Sequence, residues 1–369
     1  MSRRWPCRTS HPRLSWTFAV PLLALVALAL TWGKEIGPAI GLIEAVLLAG
    51  AVLAAVHHAE VVALRVGEPF GSLVLAVAVT VIEVALIVTL MASGGHEAST
   101  LARDTVFAAV MITSNGIVGL SLVLGSLRYG VTLFNPHGSG AALATVTTLA
   151  TLSLVLPTFT TSKPGPTFSP GQLVFAAIAS LGLYLLFVFT QTVRHRDYFL
   201  PVAHQGSTED DGHAEPPSIP VALASQGLLL VALVAVVGLA KVESPIIERA
   251  VSAVGFPQSF VGVVIATLVL LPETLAAARA ARQGRVQISI NLAYGSALAS
   301  IGLTIPTIAF VSLWLSGPLL LGLGSTQLVL LALTVVVSVL TVVPGRATRL
   351  QGELHLVLLA AYMFLAVVP

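Results

Sequence analysis

The sequence predicts an all-α polytopic membrane protein of about eleven transmembrane helices, on three observations. Hydrophobic residues make up 56% of the chain and charged residues only 9%. A soluble domain carries about 25% charged residues, so too few polar groups exist here to cover a water-facing surface. Apolar runs of roughly 20 residues, the length that crosses a bilayer core, recur along the whole chain. The basic residues also sort to alternate sides of those runs, which periodicity alone does not require.

The candidate spans are about 17–33, 37–57, 70–93, 104–127, 139–158, 171–193, 219–241, 257–279, 287–313, 322–343 and 352–368. The first needs separate justification. Arg3, Arg4, Arg8 and Arg13 precede the apolar run from Phe18 to Trp32, as in a signal peptide. No persuasive small-x-small cleavage site stands before the next apolar run, so the segment reads as a retained span.

With the N-terminus cytoplasmic, one side receives Arg3, Arg4, Arg8, Arg13, Arg65, Arg128, Arg194, Arg196, Arg279, Arg282, Arg285, Arg346 and Arg349. The other receives Lys34, Arg103, Lys163, Lys241 and Arg249. Together they account for all 18 basic residues. Cytoplasmic loops carry the Lys/Arg excess, so the expected location is the cell inner membrane, with the C-terminus outside.

The longest polar stretch divides the chain. Residues 1–33 form a tail and first span, 34–194 a first half, 195–218 a cytoplasmic linker and 219–369 a second half. The linker holds Glu209, Asp210, Asp211 and Glu215 with His204 and His213. It lacks periodicity and reads as a solvated spacer, with a weak cation-collecting loop as the functional alternative.

Composition also excludes. The net charge of +2 comes with no basic cluster interleaved with aromatics, which argues against a nucleic-acid partner. The single cysteine, Cys7, permits neither a disulfide framework nor a thiolate metal site within one chain.

The two halves share a pattern. Val66-Gly67-Glu68-Pro69 leads through an apolar run to Glu83, and Val254-Gly255-Phe256-Pro257 leads to Glu273. Each carboxylate follows its proline by fourteen or sixteen residues, over about 20 Å along a helix. The first of these spans runs inside to outside and the second outside to inside. Similar segments of opposite orientation mark inverted repeats, whose substrate site forms near the midplane. The expected architecture is two inverted five-helix repeats plus an extra N-terminal helix.

Acids inside spans are costly and point to function. Glu44, Glu83 and Glu273 qualify, and no lysine or arginine lies deep in any span beside them. A buried carboxyl group without a positive neighbour favours its neutral form, and a second acid nearby strengthens that preference. Such a pair holds protons or a cation in competition. Glu44 lies early in its span, where snorkelling to the outer interface is the plainer reading.

Polar residues accompany the paired acids. Thr80 precedes Glu83 by one turn, and Ser114 and Asn115 lie in the next span. Asn291, Ser296, Ser300 and Thr304 occupy the span after Glu273, each equally capable of bridging helices. Two carboxylates with hydroxyl and amide oxygens suit a hard cation, and the lack of soft ligands argues against copper or zinc. Gly116, Gly119, Gly295 and Gly302 allow close helix approach or local unwinding. His57 and His58, near Glu60 and Glu68, stand where pH could be sensed or where an interfacial pair would sit. His96, His137 and His355 have no motif around them.

These residues resemble the calcium:cation antiporter superfamily, in its cation/proton exchanger branch. The resemblance covers nearly the whole chain after the first span. It rests on Arg65-Val66-Gly67-Glu68-Pro69-Phe70-Gly71-Ser72-Leu73, Glu83, Arg103-Asp104-Thr105, Pro272-Glu273 and Gly295-Ser296-Ala297-Leu298. It implies inverted five-helix repeats with the cation held by the two repeat glutamates, here Glu83 and Glu273. The chain departs from the family's usual G-N-x-x-E, with Thr80 and Leu270 at the asparagine positions. Ala299 replaces a frequent glutamine, and Gly119 a frequent asparagine. Fewer oxygen ligands suit a divalent ion less well, so sodium and potassium stand beside calcium.

The expectation is a secondary antiporter, not an enzyme, exchanging Ca2+, Na+ or K+ for protons without a cofactor. Its partners are the transported ions, protons and the bilayer. Glu83 and Glu273 are the expected metal and proton ligands, supported by Thr80, Ser114, Asn115, Asn291 and Ser296. A channel needs the same acids without their protonation. A lipid-phosphate transferase needs clustered aspartates or intramembrane arginine, and Asp104, Asp197, Asp210 and Asp211 all lie at span ends or in loops.

Overall fold

The structure, a computed structural model, describes residues 16–34, 36–67, 70–93, 99–200, 217–314 and 318–369, without the side chains of residues 70–76 and 93. Most of the acidic linker, together with Glu68 and Pro69 of the first repeat motif, lies outside the described residues.

Among the described residues, eleven long helical segments follow one another: α1 Trp16–Thr31, α2 Pro38–Val66, α3 Phe70–Ser93, α4 Leu101–Tyr129, α5 Pro136–Phe159, α6 Pro170–Arg194, α7 Ile219–Ala253, α8 Phe260–Arg282, α9 Val286–Val311, α10 Ser325–Val342 and α11 Arg349–Val367. Among the described residues, 9 helices are long and apolar enough to cross a membrane. The protein is an all-α polytopic membrane protein, as its composition predicts. Two strands, β1 Val131–Leu133 and β2 Arg346–Thr348, pair antiparallel beyond the ends of α4 and α10.

Helix boundaries follow local chemistry. Pro38 begins α2 after an extended Gly37, and proline at the first helical position sacrifices no needed N–H. Asn135 caps α5 by accepting from the amides of His137 and Gly138. Ser169 and Gln172 form a reciprocal capping box at the start of α6.

Two helices are longer than expected. α2 continues nine residues past 57, and α7 twelve residues past 241. At 35 residues α7 is about 50 Å long, well beyond a hydrocarbon core of about 30 Å. Lys241, Glu243, Glu248 and Arg249 therefore belong to this helix and not to an outer loop.

Contacts between loops establish which helix ends lie together. Arg128 at the end of α4 donates to the Arg282 carbonyl at the end of α8, 2.7 Å away. Asn291 near the start of α9 donates to the Phe199 carbonyl just after α6, at 2.6 Å. At the opposite end, the Leu323 amide before α10 donates to the Leu154 carbonyl of α5, and the Leu320 amide to the Ser99 carbonyl before α4. These contacts match a chain that reverses at every helix, with the arginine-bearing turns gathered at one end.

The buried apolar residues fall into two packed groups. One joins α4, α5, α6, α9, α10 and α11, and the other joins α1, α2, α3 and α7. α8 contributes to both, with Ala266 and Leu270 on one side and Ile265 and Val269 on the other. The seam between the groups passes along α3, α8 and α9.

Candidate functional site

Glu83 and Glu273 stand on that seam. α3 and α8 carry them deep into the bundle, where they are 4% and 7% exposed. Pro272 lies immediately before Glu273 inside α8. Proline lacks an N–H, so it removes one rung of the helix ladder beside the carboxyl group.

Both glutamates line one cavity of about 370 Å³. Thr80 joins them from α3, Asn291, Ser296 and Ser300 from α9, and Gln191 and Thr192 from α6. Among the described residues, no lysine or arginine lines it. Gln191 and Thr192 lie near the end of α6 and Asn291 near the start of α9, so the cavity runs from the acids toward the arginine-bearing end. The Ser300 hydroxyl donates to Glu83 Oε1 at 2.5 Å. Glu273 Oε2 is buried with no hydrogen-bond partner. An ionised carboxylate oxygen can only accept, and no described protein group donates to this one.

Gly295 opens the wall of this cavity. A Cβ placed on it would meet nothing within 4 Å, so its hydrogen faces open space between the acids and the cavity mouth. Gly302, two turns on, serves contact instead, because a Cβ there would lie 2.5 Å from Tyr184 Cβ.

The sequence-predicted residues therefore divide. Glu83, Glu273, Thr80, Asn291 and Ser296 come together around the cavity. Asn291 is also tied locally, donating to the Phe199 carbonyl and accepting from Gln287 Nε2 at 2.7 Å. Ser114 and Asn115 do not line the cavity. They lie in a wide helical turn, Ile112–Ile117, whose bonds follow the π pattern. Asn115 Nδ2 donates to Thr334 Oγ1 at 3.0 Å, and its Oδ1 accepts from His355 Nδ1 at 3.1 Å. His355 Nε2 lies 3.2 Å from the Thr341 hydroxyl, so a fully buried imidazole joins α11, α4 and α10.

His57 and His58 lie within α2, their rings 5.4 Å apart. His57 is exposed, whereas His58 is buried and donates through Nε2 to the Thr17 carbonyl of α1 at 2.9 Å. Glu44 is also buried, at 1% exposure, which corrects its reading as a snorkelling interfacial acid. Its helix face meets α7 and not lipid, a relationship that its position near a span end could not reveal.

Several contributors carry little signal in the sequence. Ser300 shows there only as a polar residue on α9. Gln191 and Thr192 sit beside Arg194 and look like an ordinary polar helix end. Phe187 and Tyr184, one and two turns earlier on α6, complete the apolar wall.

Comparison with known proteins agrees with this architecture. The family model described as sodium/calcium exchanger protein matches residues 36–193 and 224–368. The chain is 46% identical to y4hA of Sinorhizobium fredii over 100% of both chains. It is 35% identical to the sodium-potassium/proton antiporter ChaA of Escherichia coli, over 96% of each chain. Its fold is similar to that of the solved structure of native YfkE, with a TM-score of 0.70 and 15% sequence identity, covering 96% of this chain and 99% of that one. The chain belongs to the sodium/calcium exchanger family.

Proposed function

We propose that this chain is a secondary antiporter that exchanges a hard metal cation, Ca2+, Na+ or K+, for protons across the cell inner membrane. The observation that carries this reading is the pair Glu83 and Glu273, from two different helices, in one cavity without a lining lysine or arginine. Two carboxyl groups in such surroundings cannot both remain ionised and unpaired. A metal cation neutralises the pair in one state, and protons neutralise it in the other. That exclusive occupancy couples the two ions.

Thr80, Ser296, Ser300 and Asn291 supply further oxygen atoms around the acids. Glu273 Oε2, which has no donor, is the atom best placed to take the incoming ion. Relatives bracket the choice of cation. ChaA is named a sodium-potassium/proton antiporter, and the 25%-identical Synechocystis relative a Ca(2+)/H(+) antiporter.

The cavity reaches the arginine-bearing end, which the Lys/Arg bias assigns to the cytoplasm. The N-terminus then lies inside, the C-terminus outside, and the cavity faces the cytoplasm. Alternating access follows from movement of the α1–α2–α3–α7 group against the larger group, with the acids at the seam between them.

A pH-sensitive dye in everted vesicles tests the proposal. With an acidified lumen, adding Ca2+, Na+ or K+ separately should release protons for at least one cation, with saturation. Cation flux that proceeds without proton movement identifies a channel and contradicts the exchange reading.

A further inference from the structure

Away from the cavity the molecule buries a second pair of carboxyl groups. Glu44 of α2 and Glu243 of α7 are each 1% exposed. A Cβ added to Gly41 of α2 would lie 2.7 Å from Ile246 Cδ1 and 3.7 Å from Glu243 Oε1, so the missing side chain lets the two helices approach. Glu44 stands three residues beyond Gly41, on the same helix face. It therefore faces Glu243 across this contact, near enough for the two carboxyl groups to interact electrostatically.

Both Glu44 oxygens and Glu243 Oε1 are buried, and among the described residues none donates to these oxygens. Ser244 is buried beside them but donates to Glu248 Oε1 at 3.1 Å. Lys241 is turned over the Trp32 ring, 5.1 Å from its centroid. Arg249 donates to the Pro245 carbonyl and Lys34 to the Leu30 carbonyl. α1 carries no titratable residue. The titratable residue of α3 is Glu83, and those of α8 are Glu273, Arg279 and Arg282, all at the cavity or toward the arginine-bearing end. His57, His58, Glu60 and Arg65 of α2 lie thirteen or more residues further along, about 20 Å away.

Two ionised carboxylates are acceptors only and repel one another. One proton makes one of them a donor to the other and removes the repulsion. We propose that Glu44 and Glu243 form a second proton-binding site, in which two carboxyl groups share one proton across the contact between α2 and α7. The site lies six residues from the start of α2, in the half of the bundle opposite the cavity mouth. The proton holds α2 against α7, and its loss sets two negative charges across that contact. This inference does not depend on the exchange of cations at Glu83 and Glu273.

Infrared spectroscopy of the full chain in lipid nanodiscs tests it. In a Glu83→Gln/Glu273→Gln background, which lacks the cavity acids, a pH-titrating carboxylic-acid C=O band should remain. Adding Glu44→Gln and Glu243→Gln should abolish that band. Absence of the band from the background, or its survival in the fourfold variant, would overturn the proposal. Should the fourfold variant not fold, Glu44→Asp in the same background keeps both carboxyl groups but lengthens their contact. The band must then move in frequency, and an unmoved band equally overturns the assignment.

Discussion

The Ser300 hydroxyl donates a 2.5 Å hydrogen bond to Glu83 Oε1, joining α9 to α3 across the seam between the two packed groups of helices. It ties the Glu83 carboxyl group to α9. Hydrogen bonds to charged groups are worth about 1.5–3 kcal/mol. Ser300→Ala removes a donor that steadies the Glu83 carboxylate. Apparent cation affinity should fall about tenfold or more at fixed pH, measured from the concentration dependence of exchange. Unchanged affinity would mean that Glu83 does not hold the ion through this oxygen.

Gly295 offers a test of the cavity as the ion path. Its Cβ position is open, so Gly295→Leu should be accommodated without displacing a neighbour. The added side chain fills space beside Ser296 and Asn291. Exchange should be lost, while the thermal unfolding midpoint stays near that of the parent. Full exchange by a folded Gly295→Leu protein would place the path elsewhere.

Asn115 and His355 separate scaffold from site. Asn115 bridges Thr334 and His355 at a distance from the cavity lining. Asn115→Ala leaves buried polar groups unpaired, at a cost of about 1–3 kcal/mol. Thermal stability should drop, and the cation affinity of the folded fraction should match the parent. A selective loss of affinity with stability intact would return Asn115 to the ligand set.

The contact between α4 and α11 is equally specific. A Cβ on Gly119 would lie 2.9 Å from the Gly352 carbonyl oxygen, and one on Gly352 would lie 2.8 Å from the Gly119 carbonyl oxygen. Backbone faces backbone here, so a flexible side chain cannot move aside. Gly352→Val should destabilise the protein by about 1–3 kcal/mol through overpacking. A thermal melt in detergent measures the change, and an unaltered midpoint contradicts this packing.

The helices were legible in the sequence because a lipid-facing exterior demands long apolar runs, and each expected span overlaps a helix. The pairing of Glu83 with Glu273 was legible because each follows a similar glycine–proline helix entrance at similar depth. Lateral facing was less accessible. Ser114 and Asn115 follow the helix that carries Glu83, but the wide turn Ile112–Ile117 adds a residue to the local period and alters which faces turn inward. Glu243 was hidden for a different reason. A lipid-matched span ends near Lys241, whereas α7 continues to Ala253 and carries Glu243 against α2. His355 lacks a sequence motif because its partners, Asn115 and Thr341, come from two other helices.

Exchange by this route requires protons and a metal cation to compete for the same two carboxyl groups. Calorimetry of cation binding to the purified protein, in two buffers of different ionisation enthalpy, counts the protons released on binding. Proton release is expected from the parent protein, and its loss from both Glu83→Gln and Glu273→Gln. Cation binding by the parent with no proton release, or undiminished release in either variant, would contradict that competition.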